Sequence, residues 1–107
     1  MPYTASFTDP APTPEELAEW PGTVVVEFGT DWCPHCQGAQ PWLQAALHDR
    51  RDLVHIKMED GPGRRLGRHF KVKQWPTLVV VRDSEEIGRV VRPTSADAVE
   101  AQLPVAI

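Results

Sequence analysis

The chain has 107 residues and two cysteines, Cys33 and Cys36, set apart by Pro34 and His35 in the run Trp32-Cys33-Pro34-His35-Cys36. Thiols at this spacing can cycle between dithiol and disulfide, hold part of a metal site, or form a structural staple. A staple closing so short a loop would constrain the unfolded chain only slightly. A zinc site needs two further ligands, and His48, His55 and His69 are scattered rather than spaced to supply them. Redox chemistry is the reading the spacing favours, with no metal and no cofactor expected.

The flanking residues say where those sulfurs must sit. Val24-Val25-Val26-Glu27-Phe28 is a short β-branched apolar run without polar alternation, which predicts a strand covered on both faces. After the cysteines, Cys36, Ala39, Leu43, Ala46 and Leu47 recur at helical steps. They predict an amphipathic helix to about Arg50, with Gln37, Gln40, Gln44 and Arg50 facing water. The sulfurs thus fall where a strand hands over to a helix N-terminus. There the unpaired N–H groups and the helix dipole favour a thiolate on Cys33. Pro34 suits the first helical turn, where its missing N–H costs nothing, and His35 can add charge or a hydrogen bond beside the same sulfur. Cys36, one turn inside the helix, is expected to be more buried and harder to ionise. Cys33 is read as the nucleophile and Cys36 as the resolver.

The remaining chain supplies a sheet and its covering helices. Residues 1–12 read as a loosely held arm, with Ser6-Phe7-Thr8 able to add an edge strand. Thr13-Pro14-Glu15-Glu16 is a helix start with a capping box, ended by Pro21-Gly22. Leu53 to Met58 predicts a second strand, with Val54, Ile56 and Met58 on one face and Leu53, His55 and Lys57 on the other. Arg64 to Phe70 predicts a short helix. Leu78 to Val81 and Ile87 to Val91 predict an antiparallel pair around the charged turn Asp83-Ser84-Glu85-Glu86, and Thr94 with Asp97 predicts a capped final helix.

These pieces resemble the thioredoxin family. The chain has its Trp-Cys-X-X-Cys core, though with the Pro-His dipeptide of DsbA-type bacterial disulfide oxidants. Glu27 lies six residues before Cys33, where thioredoxins carry a buried acid, and Pro41 lies eight after it, where they kink the active-site helix. Trp75-Pro76-Thr77 resembles their cis-proline loop. The resemblance, covering roughly residues 20 to 92, implies an α/β thioredoxin fold: a central mixed β-sheet flanked by helices on both faces, with residues 1–107 as one domain. It implies a Cys33-Cys36 redox disulfide, with Glu27 accepting the Cys36 proton through water. It also implies a cis Trp75–Pro76 bond, with the Trp75 backbone pairing an extended substrate and Trp32, Trp75, Pro76 and Thr77 lining its groove. Lys57 is the expected neighbour of the buried acid, or His55 if the strand register slips.

Function is bounded by what surrounds this core. A formal charge of -4 gives no attraction to nucleic acid or anionic membrane. No window approaches the roughly 18 apolar residues of a spanning helix, and the first residues lack a basic segment followed by an apolar one, so a cytoplasmic protein is expected. A periplasmic place would follow if a leader had been removed. Arg64, Arg65, Arg68, Lys71 and Lys73 read as a solvated helix face, with docking to an acidic partner or reductase as the functional alternative. The expectation is a monomeric protein-disulfide reductase acting on disulfide-containing proteins and recharged by a thioredoxin-reductase-like or other thiol donor. Each unit by which Pro34-His35 lower the Cys33 pKa would raise the potential by roughly 30 mV, towards a more oxidising protein. An exported disulfide oxidant or isomerase, and a non-catalytic binding module of the same fold, are the alternatives.

Overall fold

The computed structural model describes residues 3–8 and 10–105. Elements follow in the order α1 (Pro14–Ala18), β1 (Thr23–Gly29), α2 (Pro34–Leu47), β2 (Leu53–Glu59), α3 (Arg65–His69), β3 (Thr77–Arg82), β4 (Glu85–Val91) and α4 (Ala96–Glu100). The strands form one four-stranded sheet in the order β2-β1-β3-β4. β1 pairs parallel with β2 and antiparallel with β3, and β3 pairs antiparallel with β4. This is the mixed sheet with helices on both faces that the sequence predicts.

The valine run explains why β1 is central. Every residue of β1 is buried, as a strand sandwiched between two helical layers requires. Val25 joins Leu53, Leu78 and Val80 under Ala39, Leu43, Ala46 and Leu47 of α2 and Val99 of α4. Val24, Val26 and Phe28 face the other way, joining Ile56, Met58, Val79 and Val81 under Leu17 of α1 and Leu66 of α3. Glu27 therefore shares the face of Val25, on the α2 side, by the two-residue alternation of a strand.

Local signals account for most ends. Thr13 and Glu16 form the expected capping box on α1. The β3–β4 hairpin turns on Asp83 and Ser84, whose φ of 51° and 72° is the double left-handed geometry of a two-residue hairpin loop. Glu85 and Glu86 already belong to β4, so the turn is tighter than the four charged residues suggest. A register shift beside Val80 and Val81 then offsets the two strands.

Two expectations, the cap of α4 and the edge strand at Ser6-Phe7-Thr8, are corrected. α4 is capped by Ser95, whose side chain accepts from the Ala98 N–H, because the helix starts one residue later than a Thr94 cap would allow. Val54 shares its face with Ile56 and Met58, as the alternation predicts, and is 46% exposed because β2 is an edge strand. Ser6-Phe7-Thr8 forms a single parallel bridge, Phe7 to Lys57, rather than a strand, with the Thr8 N–H donating to the Lys57 carbonyl at 2.8 Å.

The contrast between Leu43, fully buried beneath the sheet, and Val54 gives a test of where stability resides. Leu43→Ala is expected to cost about 2–5 kcal/mol in urea unfolding. Val54→Ala should stay within about 1 kcal/mol.

Candidate active site

The strand-to-helix junction holds the two sulfurs against the end of β1. Cys33 is the N-cap of α2, and its sulfur accepts from the Cys36 N–H at 3.4 Å. Pro34 occupies the first helical turn and α2 runs on through Pro41. A methyl group built on Gly29 would lie 2.5 Å from the Cys36 sulfur, so only glycine lets the strand end pass so close to the helix. Both cysteines are free thiols. Cys33 keeps 6% exposure and Cys36 4%, so burial alone separates them far less than the sequence reading expects.

Their surroundings separate them instead. Burial opposes ionisation of Cys33, but the Cys36 thiol, the backbone N–H groups of Cys36 and His35, and the Arg92 charge together outweigh it. The Cys33 pKa therefore lies below that of an ordinary thiol. Burial pushes Cys36 up to about 12, helped by its bond to Cys33 and by the charges of Cys33 and Glu27, against a lowering contact from the Thr30 backbone. His35 contributes its backbone N–H to the ionised sulfur, while the residue is exposed and lines a groove with Trp42 and Arg92.

The aromatic rim comes from two separate loops. Trp32 is 67% exposed and meets Trp75 edge-on, with ring centroids 5.8 Å apart. The Trp75 indole N–H donates to Asp60 Oδ2 at 2.8 Å, which fixes the ring. The Trp75–Pro76 peptide bond is cis, and Pro76 and Thr77 are buried where β3 begins. The Thr77 hydroxyl donates to the Gln74 carbonyl.

Glu27 is 2% exposed and fully engaged. Its Oε1 lies 2.9 Å from His55 Nε2, and its Oε2 accepts from Gln40 Nε2 at 2.8 Å. Gln40 also donates to the Cys36 carbonyl at 2.8 Å, and its Oε1 accepts from the Tyr3 hydroxyl at 2.7 Å and from Lys57 Nζ at 3.3 Å. Lys57 is the Cα partner of Glu27 across β1 and β2, yet its ammonium reaches the carboxylate only through Gln40. His55, two residues earlier on the same face, makes the direct contact.

Two residues here escaped the sequence reading. Gln40, expected to face water, is half-buried, because it stands one turn beyond Cys36 on the stripe that packs against β1. That spacing was the available signal. Arg92 has a φ of 49°, and its Nε donates to the Trp75 carbonyl at 2.8 Å while its backbone N–H donates to the Pro76 carbonyl at 2.9 Å. Counting back along the hairpin from Asp83-Ser84 would put Val91 opposite Pro76; the register shift beside Val80 and Val81 brings Arg92 there instead. Among the described residues, no group of three His, Cys, Asp or Glu side chains is placed to hold a metal ion.

A mixed four-stranded sheet, a Cys-X-X-Cys at the start of the helix after its central strand, and a cis-proline loop whose Trp75 meets Trp32 beside Cys33 define a thioredoxin-type fold. The chain belongs to the thioredoxin family, whose match spans residues 9–104. It is 52% identical to thioredoxin 2 from Pseudomonas aeruginosa PAO1 in its reduced form, with a TM-score of 0.81 and 92% of each chain covered. It is 35% identical over 88 residues to protein disulfide-isomerase A3 of Gallus gallus, covering 81% of this chain and 17% of that protein. Thioredoxin H5 of Oryza sativa subsp. japonica is 30% identical over 88 residues, covering 82% of this chain and 65% of the relative. The chain thus spans less than two thirds of either of these last two proteins.

Because Arg92 is exposed, its charge acts on Cys33 through partly screened space. Arg92→Ala should raise the midpoint of the Cys33 alkylation-rate profile by about a few tenths of a pH unit. High salt should shrink the difference between variant and wild type. In the wild type that midpoint should fall below the value of about 8.5 for a free cysteine.

Proposed function

We propose that this chain is a thiol–disulfide oxidoreductase acting on protein disulfides through Cys33 and Cys36. The observation that carries the reading is the placement of the two thiols: Cys33 caps α2 with its sulfur accepting from the Cys36 N–H while Cys36 sits against Gly29, surroundings that lower the Cys33 pKa and raise that of Cys36. The Cys33 thiolate attacks one sulfur of the substrate disulfide; that S–S bond breaks, one substrate thiolate leaves, and a Cys33–substrate disulfide forms. Cys36 then loses its proton and attacks the Cys33 sulfur. The second substrate thiolate departs, and two electrons have passed from the dithiol to the substrate, leaving a Cys33-Cys36 disulfide.

In the free dithiol Cys36 is pushed up to about 12, and in the mixed disulfide burial and the Glu27 charge still oppose its ionisation, so the second step needs a base. Glu27 is the candidate, since it is the buried carboxylate whose charge acts on Cys36, with the proton passing through water. The substrate segment lies across Trp32 and the Trp75-Pro76-Thr77 loop, pairing with the Trp75 backbone as an added strand. A thiol donor of the thioredoxin-reductase kind regenerates the dithiol, which makes the protein a reductase in turnover. Pro34-His35, as in DsbA-type oxidants, would set it on the more oxidising side of its family.

Insulin reduction with dithiothreitol tests the scheme. Cys33→Ser should fall to the uncatalysed background. Cys36→Ser should accumulate mixed disulfides, visible as thiol-reversible mass adducts. Equal rates in wild type and both variants would sink the mechanism.

A further inference from the structure

The groups around Glu27 assign a protonation pattern that the scheme above leaves unused. A backbone N–H can only donate, and the Thr4 N–H points at His55 Nδ1 at 2.8 Å. Nδ1 must therefore offer a lone pair, so the ring proton sits on Nε2, 2.9 Å from Glu27 Oε1. The ring is held from two further sides. The Thr4 hydroxyl donates to the His55 carbonyl at 2.7 Å, and the Tyr3 ring lies 5.5 Å from the imidazole. The His55 side chain has no exposed surface, so water does not compete for either nitrogen.

Resting on the reading of Glu27 as the base for Cys36, we propose that His55 is a positioning residue for that proton transfer, its Nε2–H locked onto Glu27 Oε1 by the N-terminal segment Tyr3-Thr4. The S–H bond of Cys36 breaks and its proton passes to the Glu27 carboxylate, while the sulfur keeps the electron pair and attacks Cys33. His55 gives up no proton. It holds one hydrogen bond on the carboxylate, and Gln40 holds another on Oε2. Hydrogen bonds to the charged form keep a buried carboxylate ionised and able to receive a proton.

The other groups facing the pair act consistently with this. From β2, the Lys57 ammonium favours the carboxylate through Gln40. From the N-terminal segment, the Tyr3 phenol points its proton at Gln40, and burial and the Glu27 charge raise its pKa. From α2, Cys36 remains a neutral thiol until it transfers its proton. His55 is thus the group that donates to Glu27 directly from β2, with its proton placed by a backbone donor.

The test follows the two chemical steps separately by stopped flow with Ellman's reagent. The first release of coloured thionitrobenzoate anion reports attack by Cys33, and the second reports resolution by Cys36. His55→Leu removes the donor, whereas His55→Gln can keep an N–H directed at Glu27. In His55→Leu the pH midpoint of the second release should rise by about one unit, a roughly tenfold slowing at a fixed pH below it. His55→Gln should track wild type, and the first release should be the same in all three. Superimposed second-step profiles for His55→Leu and wild type, or equal shifts in both variants, would overturn the proposal without touching the Cys33–Cys36 scheme. Nitrogen-15 shifts of the His55 ring in the unsubstituted reduced protein give an independent reading that requires no variant to fold. They should report protonation at Nε2, and a proton on Nδ1 refutes the assignment.

Discussion

A carboxylate in the middle of a buried strand is the constraint around which this structure is arranged. Leaving Glu27 charged and unpartnered beneath α2 would cost several kcal/mol, enough to threaten a domain of this size. Its partners come from different parts of the chain. Gln40 arrives on α2 and His55 on β2, each bonded directly to the carboxylate, while Lys57 and Tyr3 close on Gln40. The Gln40 amide spends both its donors and both its acceptor sites within this cluster, so the helix carrying the cysteines is pinned to the strand carrying the acid. Satisfying the charge and registering the active-site helix are one event.

The same registration decides what the sulfurs feel. Gly29 lies two residues along β1 from Glu27 on the same face, and its missing side chain lets Cys36 sit against the strand. Cys36 is thereby pressed into an apolar contact near a fixed negative charge, whereas Cys33, as N-cap, takes N–H donors from the first turn. The hairpin contributes from the opposite direction. Its register carries Arg92 back to Pro76, and the guanidinium both holds the Trp75 carbonyl and adds positive charge near Cys33. With that carbonyl already engaged, an arriving peptide strand would have to displace or share the Arg92 bond.

Local patterns in the sequence carried the fold well. The valine run, the Cys36-to-Leu47 stripe and the Thr13 capping box each encode their element within a few residues, because burial periodicity and helix-end hydrogen bonds are short-range effects. The cysteines and the Trp-Pro-Thr loop were legible as types at a spacing. What the sequence hid was pairing across distance. Lys57 and His55 share a face, and only the length of the side chains and the position of Gln40 determine that the histidine touches the acid. Polarity alone assigns Gln40 to the water-facing side, although its one-turn spacing from Cys36 sets it on the stripe that packs against β1, where a buried charge meets it. Tyr3 and Thr4 matter through three hydrogen bonds that no periodicity announces.

The opposite shifts of the two thiols are best understood as one coupled titration rather than two independent environments. Cys36 donates to Cys33 and so helps ionise it, and for the same reason the charge on Cys33 and that bond hold the proton on Cys36. Once the Cys33 sulfur enters a mixed disulfide, it carries no charge and no longer accepts a strong bond from Cys36. Two of the influences raising Cys36 then vanish, and burial with the Glu27 charge remains. Loss of the Cys33 charge therefore loosens the Cys36 proton, leaving burial and the nearby Glu27 charge to hold it. In the free dithiol the second thiol is thus held protonated in part by the first.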